Sequence, residues 1–473
     1  MSESARKVTF SQAVFVFLFL IISLITTIVI FKGAPHVPIL AAAIVAAVIA
    51  VKSGYKWEFI EEGIAETIKM STQAILILLI IGTIIGTWIL GGIVPTMIYY
   101  GLRILSPGIF LIATCLICSI IALATGSSWS TAGTVGIALM GVGMGLGISP
   151  GIVAGAIISG SYFGDKMSPL SDTTNLAPAM AGADIFDHIK HMIYTTGPSY
   201  AITLIIYGLL GIKFAGKNID ANSIDLLLNT FEKQFTITPI LLIPPVLVII
   251  MVIKKIPAMP GLIGSSLLGA ICAAVFQGAG LSQIIAVVNG GYSANTGVET
   301  VDKLINRGGI QSMMWTVSLV LIALSFAGIV EKTGMISIVA EKILKAAKSD
   351  GSLITATIFT CIFTNFTTGV QYVALVLPGR MYKDVYVERG LHPKNLSRTL
   401  EDSGTLVAPL VPWSTDAAFL IGALGVGPMA YAPYAILNLV NPIVAIILGY
   451  TGWTIEKIDK PMDEKEKISS LEA

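Results

Sequence analysis

The sequence predicts an all-α, polytopic membrane protein with about 10 transmembrane crossings, two re-entrant hairpins and two broken helices. Three observations lead to this fold class. Hydrophobic residues make up 55% of the 473 residues and charged residues only 12%, whereas soluble domains carry roughly 25% charged residues. Apolar runs as long as a membrane span recur along the chain, and two further segments of that length are interrupted by polar residues, glycine and proline.

The uninterrupted apolar runs predict the ordinary spans, each of which needs about 20 apolar residues. Runs that reach or approach this length occupy residues 10–31, 37–51, 75–94, 107–124, 194–212, 237–253, 259–277, 313–330, 353–377 and 428–449. No small-residue cleavage site follows the first run, so we interpret it as a permanent span and not as a signal peptide.

The segment 155–182 is apolar at both ends, but its centre carries Asp165, Lys166, Asp172 and Asn175. Unpaired charge and backbone cost several kcal/mol in hydrocarbon, so the helix must break and line a protected, hydrated cavity. Broken helices at mid-membrane depth are where transporters bind ions and substrates. The segment therefore predicts a secondary transporter.

A second polar interruption, at residues 395–425, predicts an internal repeat. Pro169 matches Pro409 at an offset of 240 residues, and the same offset lays residues 127–128 on residues 367–368. Five predicted crossings, an odd number, separate equivalent spans. The two halves are therefore predicted to be inverted repeats that meet at the bilayer midplane.

Each half is predicted to contain a span, a surface helix, a hairpin and a broken helix. The surface helices are placed at residues 96–105 and 336–348, the hairpin turns at 126–131 and 365–371, and the broken helices at 151–182 and 395–425. The predicted domains are an N-terminal transmembrane hairpin with a surface helix (1–70), a first repeat (71–212), an exposed linker loop at 213–234 with scaffold spans (213–310), a second repeat (311–451) and a cytoplasmic tail (452–473).

The distribution of lysine and arginine predicts the orientation. With the N-terminus inside, 21 of these residues lie on the cytoplasmic side and 7 on the other, and Lys166 lies within the membrane. Positive charge concentrates on the cytoplasmic side of membrane proteins. Both termini are therefore predicted to be cytoplasmic.

Other classes of protein are disfavoured. No basic patch with interleaved aromatic residues suggests a nucleic-acid partner, and no HExxH or GxSxG motif suggests an enzyme. The four cysteines lie inside apolar runs, so we interpret them as core residues, and no cofactor is predicted. His188 and His191 are expected in solvated loops, with pH sensing as the alternative, and Tyr382 and Tyr386 are expected to be interfacial anchors.

Polar side chains at the hairpin turns and broken helices are the candidate ion- or substrate-binding residues, because ionisable groups inside a membrane are expensive and functional by default. The candidates are Ser127, Ser128, Ser130, Asp165, Asp172, Thr173, Thr174, Asn175, Asn365, Thr367, Thr368, Glu401, Asp402, Ser414, Thr415 and Asp416. Their oxygen atoms suit a bare alkali cation such as Na+, and helix N-termini point positive dipoles into the same cavity. Lys166 is expected to pair with a carboxylate.

The candidate cavity holds five acids against one base, Lys166. An acid-rich cavity attracts cations and can exchange protons, so a small cation is the simpler substrate. A carboxylate anion would need neutralisation by bound Na+ and helix N-termini, and this alternative stays open.

The runs GSSWSTAGTVG, SGSYFGDKMSPLSDTTNLAPAMAG and EDSGTLVAPLVPWSTDAAF resemble the NhaC family of bacterial sodium/proton antiporters, over nearly the whole chain. The resemblance implies exchange of Na+ for H+ across the bacterial inner membrane by alternating access. The wider superfamily further implies a homodimer embedded in membrane lipid and an elevator motion. Similar proteins include exchangers that take malate and protons in and move sodium and lactate out, so malate or lactate is the alternative substrate.

Carried over residue by residue, the resemblance implies a set of cation ligands. They are Ser127, Ser128, Asp165, Asp172, Thr173, Asn175, Thr367, Thr368, Ser414, Thr415 and Asp416.

Overall fold

The computed structural model describes residues 8–215, 221–254 and 256–458. Within these ranges the chain is helical, apart from loops and one isolated antiparallel bridge between Leu391 and Lys457. The first seven residues, and the predicted cytoplasmic tail beyond residue 458, lie outside the described ranges.

The helices of the N-terminal part and the first half are α1 Phe10–Ile25, α2 His36–Lys52, α3 Trp57–Leu90, α4 Ile93–Ile104, α5 Pro107–Thr125, α6 Ser128–Thr131, α7 Ile137–Gly145, α8 Pro150–Met167, α9 Asp172–Ala181 and α10 Ile185–Ala215. The middle of the chain forms α11 Ala221–Gln234, α12 Ile243–Ile253, α13 Ala258–Gln277, α14 Leu281–Gly290 and α15 Glu299–Ile305. The second half forms α16 Ile310–Lys332, α17 Met335–Lys345, α18 Asp350–Thr368, α19 Gln371–Glu388, α20 Pro393–Leu400, α21 Thr415–Leu424, α22 Pro428–Tyr431 and α23 Ile436–Thr451.

The number of membrane spans follows from helix length and apolarity. Among the described residues, six helices are long and apolar enough to cross a membrane, and up to nine spans result if each of three bent helix pairs counts as one. The protein is therefore a polytopic, all-helical membrane protein. The larger predicted number of crossings stays a prediction.

Helix packing explains how the polar segments are kept from lipid. Helix α3 packs along α13 and α16, and α5 packs along α8. A Cβ atom added to Gly160 or Gly164 of α8 would lie 2.3 Å from the carbonyl oxygen of Cys115 or Ser119 on α5. Such close backbone contact is possible only with small residues, as is common between membrane helices.

The two halves match in structure, but at a different offset from the one predicted. The segments from α5 to α9 and from α18 to α21 begin at positions that differ by 243 residues, not 240. Pro169 therefore corresponds to Pro412 and not to Pro409. The prediction was wrong because a Pro-Leu pair recurs at residues 409–410, and a shift of three residues, nearly one helical turn, preserves the apolar pattern. The inverted orientation of the halves stays a prediction.

The predicted exposed loop at residues 213–234 is another correction. Helix α10 continues to Ala215, and α11 covers Ala221–Gln234. Leu227, Leu228 and Phe231 of α11 are buried. Their spacing of three to four residues places them on one face of the helix. The overall polar composition of the segment obscured this apolar face in the sequence.

Candidate functional site

Each hairpin packs its turn against the break in the broken helix of its own half. Helix α5 ends at Thr125 and α6 begins at Ser128, while α18 ends at Thr368 and α19 begins at Gln371, so both turns lie where they were predicted. Gly126 and Gly369, 243 residues apart, occupy these turns with φ of +67° and +66°. Such positive φ values favour glycine.

The glycine turns approach the breaks closely. A Cβ on Gly126 would lie 2.6 Å from the carbonyl carbon of Leu170, and one on Gly369 would lie 3.0 Å from the carbonyl oxygen of Trp413. The amide of Thr415 also donates to the carbonyl of Gly369, at 2.8 Å. The breaks at residues 168–171 and 411–414 are thus held by backbone contacts with the hairpins.

These contacts predict the effect of Gly126→Ala. We expect a loss of about 2–5 kcal/mol in the free energy of unfolding, from the left-handed conformation and the displacement of Leu170. Gly147→Ala is the matched control, because Gly147 has φ of +70° and nothing within 4 Å of its added Cβ. It should lose only about 1–2 kcal/mol. Denaturant unfolding in detergent micelles measures both, and equal losses would contradict a packing role for Gly126.

Asp165 is the buried carboxylate nearest to the first hairpin. Its Oδ2 atom accepts hydrogen bonds from the backbone N–H of Ser128 at 2.9 Å and from the Ser128 hydroxyl at 2.6 Å. Its Oδ1 atom is buried and makes no hydrogen bond of normal geometry within the described part of the chain, although the Ser171 hydroxyl interacts with the carboxylate. The start of the hairpin's second helix thus holds one oxygen and leaves the other free.

Asp416 is held by the opposite half. Its Oδ1 atom accepts from the hydroxyl of Tyr162 at 2.6 Å and from the indole N–H of Trp129 at 3.2 Å. Trp129 stacks on Phe419 at 4.4 Å between ring centroids. Sequence reasoning missed both donors, although Trp129 lies within the GSSWSTAG motif and Tyr162 lies about one helical turn before Asp165.

Asp172 differs from the other acids because it is exposed. The hydroxyl of Tyr372, at the start of α19, donates to its Oδ2 atom, and the Thr173 amide donates to Oδ1 at 2.8 Å. Asn175 is exposed too, and its side-chain amide donates to the carbonyls of Pro169 at 3.0 Å and Ser171 at 2.6 Å. Asn175 therefore fixes the break itself.

Lys166 forms a fully buried ion pair with Asp402, which joins the two broken helices. The Oδ1 atom of Asp402 also accepts from Thr195 at 2.9 Å and from Asn441 at 2.7 Å, and the Nε of Arg398 lies 3.9 Å from its Oδ2. Asp402 is thus engaged in this network. Sequence reasoning missed Thr195 and Asn441, which lie on α10 and α23, outside the predicted hairpins and broken helices.

Glu401 lies beside this network on a π-helical segment, Glu401–Thr405. Its side chain is fully buried, and among the described residues its carboxylate interacts with the hydroxyls of Thr405 and Thr173 without a hydrogen bond of normal geometry. It interacts electrostatically with Lys166 and Asp165. Single π-helical turns within α-helices often occur at functional sites.

Most of the predicted hydroxyl and amide side chains form hydrogen bonds with main-chain atoms in this structure. The Ser127 and Ser414 hydroxyls cap α6 and α21. The side chains of Thr174, Asn365, Thr367, Thr368 and Thr415 donate to main-chain carbonyls of Lys166, Gly404, Phe363, Thr364 and Gly369. Ser130 accepts through its carbonyl from Thr134, and the Thr173 hydroxyl pairs with that of Ser171. Whether any of these groups binds an ion stays a prediction.

No group of three or more His, Cys, Asp or Glu side chains among the described residues is arranged to hold a metal ion. The predicted set of carboxylate, hydroxyl and backbone oxygen ligands for a cation stays a prediction.

The predicted surroundings of two pairs of side chains were wrong. His188 and His191 are buried on α10 and not in a solvated loop, and His188 Nδ1 lies 2.8 Å from the Ser397 hydroxyl. Tyr382 and Tyr386 are fully buried and bond to hydroxyls of α18, so they are not interfacial anchors. In both cases the predicted end of an apolar run, residue 194 or residue 377, lies inside a helix, α10 or α19.

Comparison with known proteins supplies the family context for this geometry. A model of the Na+/H+ antiporter family matches residues 160–453. The chain is 41% identical over 435 residues, 92% of its length and 94% of the relative, to the Na(+)/H(+) antiporter NhaC of Alkalihalophilus pseudofirmus. It is also 41% identical over 408 residues, 86% of its length and 87% of the relative, to the malate-2H(+)/Na(+)-lactate antiporter of Bacillus subtilis. Similarity extends to the arginine/ornithine antiporter ArcD of Halobacterium salinarum, at 36% over 419 residues, 88% of this chain and 86% of the relative.

Proposed function

Because the chain belongs to the NhaC-type Na+/H+ antiporter family, we propose that it exchanges Na+ for H+ across the bacterial cytoplasmic membrane by alternating access. The family is one of secondary transporters embedded in the membrane, not of enzymes. We propose Na+ and H+ as the exchanged ions because of the Asp165 carboxylate. Ser128 donates two hydrogen bonds to one of its oxygens, and the other oxygen makes no hydrogen bond of normal geometry.

Asp165 can bind either Na+ or a proton through its free oxygen, but not both at once. Ser128 holds the carboxylate in place without neutralising it, and no lysine, arginine or histidine in the described ranges forms a salt bridge with it. An uncompensated buried carboxylate is costly, so a cation or a proton stabilises it strongly. Competition for one group couples the two flows.

The charges around the site favour a cation over an organic anion. Lys166 is committed to Asp402, and Arg398 lies 3.9 Å from the same carboxylate. A malate or lactate ion would therefore depend on bound Na+ and on the N-termini of α6, α9, α19 and α21. The equal identity to the malate/lactate exchanger makes this the second candidate.

A flux assay on purified protein in liposomes separates the two candidates. With an imposed pH gradient, we expect uptake of labelled Na+ that is driven by protons and needs neither malate nor lactate. Labelled malate and lactate should not accumulate above protein-free liposomes. Proton-coupled malate uptake that requires Na+ on the opposite side would instead establish the second candidate.

The same proposal includes orientation and assembly. We place both termini in the cytoplasm, on the distribution of positive charge, and we propose a homodimer within the lipid bilayer. Cross-linking in native membranes and protease access to the N-terminus in sealed vesicles test these two statements.

A further inference from the structure

Tyr372 contacts the exposed acid of the candidate site, Asp172. It lies in the first turn of α19, directly after the second hairpin turn, and its hydroxyl donates to Asp172 on the first broken helix. Its side chain is 46% exposed, and Asp172 is exposed as well. The contact therefore joins the two halves at an accessible surface.

More than one carboxylate influences the phenol. Tyr372 interacts electrostatically with Asp172, Asp416 and Asp165. Asp165 and Asp416 are only 5% and 1% exposed. Tyr372 is therefore bonded to the exposed carboxylate, and the charges of the two buried ones act on it. The first turn of α9, which begins at Asp172, is tied to Asp165 directly, because the Thr174 hydroxyl donates to the main-chain carbonyl of Asp165 at 3.3 Å.

A comparison with Tyr162 shows why Tyr372 is the tyrosine that has room to move. Tyr162 also donates to a carboxylate of the opposite half, Asp416, but it is fully buried and could not move without repacking its neighbours. A half-exposed side chain can change rotamer quickly, without any movement of the helices. Helices α9 and α19 pack directly against each other, so they can stay in contact when a change of the Tyr372 rotamer breaks its bond to Asp172.

We propose that Tyr372 is a side-chain gate whose hydrogen bond to Asp172 closes the exposed side of the site, and that Na+ reaches Asp165 only when this bond is broken. The proposal rests on the proposed function, in which Asp165 is the ion-binding carboxylate. In this proposal Asp172 accepts the hydrogen bond that keeps the gate closed, and it is not a ligand of the bound ion.

The sign of one mutational effect distinguishes a gate from a ligand. Tyr372→Phe keeps the ring and removes the bond, so the fraction of open molecules rises and the apparent KM for Na+ falls, by about three- to tenfold. If the hydroxyl were an ion ligand, the apparent KM would rise. Measured by proton-driven Na+ uptake in liposomes, a raised or unchanged KM overturns the gate.

Tyr382→Phe is the matched control. Tyr382 lies on the same helix, α19, and its hydroxyl bonds to Thr360 at 2.7 Å on neighbouring α18. The substitution makes the same chemical change, but it removes buried hydrogen bonds to Thr360 and to the carbonyl of Ala356 that involve no carboxylate. We expect its apparent KM for Na+ to stay within about twofold of the wild-type value, because Tyr382 touches none of the three carboxylates.

A labelling experiment tests the gate without relying on transport. The four native cysteines are buried, so a cysteine at Ser128, which is 3% exposed, is a specific reporter of access to Asp165. The rate of modification by a small charged thiol reagent should rise about three- to tenfold when Tyr372→Phe is added to Ser128→Cys, and should not rise with Tyr382→Phe.

The labelling and transport measurements distinguish failure of the gate from failure of the proposed function. Faster labelling without any Na+/H+ exchange by the wild-type protein would retain the gate and reject the proposed function. Na+/H+ exchange with an unchanged labelling rate would retain the proposed function and reject the gate.

Discussion

Asp165→Asn should abolish Na+-driven proton movement in liposomes, with a fall in rate of at least ~100-fold, equivalent to about 2.7 kcal/mol. Asparagine has nearly the same shape and can still accept both hydrogen bonds from Ser128. It carries no charge and takes up no proton. The variant therefore removes the group for which Na+ and H+ compete and leaves the surrounding packing unchanged.

Asp350→Asn is the control for this measurement, because Asp350 is exposed to solvent in part and pairs with Lys457 at 2.5 Å, away from the site. It makes the same chemical change, and its exchange rate should stay within about twofold of wild type, since surface ion pairs contribute little. Binding of labelled Na+ to the detergent-purified proteins provides a second measurement. Wild-type exchange by Asp165→Asn would remove Asp165 from the mechanism.

Lys166→Met should lower the free energy of unfolding by about 3–5 kcal/mol, the usual cost of leaving one member of a buried ion pair alone. In this variant Asp402 keeps its bonds from Thr195 and Asn441 but loses its ammonium partner. Denaturant unfolding in detergent micelles measures the loss. It should exceed the loss from any exposed charge of the protein.

The double variant Lys166→Met with Asp402→Asn tests whether the pairing itself is responsible. It removes both charges and keeps an acceptor for Thr195 and Asn441, so it should recover most of the stability lost in either single variant. Lys303→Met breaks the exposed pair with Glu299 and should cost less than about 1 kcal/mol. A double variant no more stable than the singles would show that the buried pair is not the cause.

Several parts of the fold were predictable because they depend on local chemistry. Small hydroxyl residues and glycine at 126–131 predicted the first hairpin turn, and the polar centre around Asp165 and Pro169 predicted the first break. The second turn was placed at 365–371 by its match to the first. The three motifs identified the family, which the comparisons confirm. The predicted offset between the two halves was wrong by three residues. A shift of three residues is nearly one helical turn, so apolar residues of both alignments fall on the same helical face and composition cannot distinguish them.

The site was less predictable, because its partners lie far apart in sequence. The tyrosines and tryptophan that hold Asp172 and Asp416 occur among many aromatic residues of similar surroundings, and nothing local distinguishes Tyr372 from Tyr382. Thr195 and Asn441 look like ordinary tolerated polar residues until the fold places them around Asp402.

The sequence by itself determined that this is a membrane protein with two broken helices and many acidic groups, because hydrocarbon excludes charge and backbone polarity wherever they occur. Only the tertiary structure decided which acid is paired, which is held by a neighbour and which keeps an oxygen free. Lys166 is next to Asp165 in the chain yet pairs with Asp402 from the other half. The physical reason is that the direction of each side chain, and hence the partner of each charge, is set by how the helices pack.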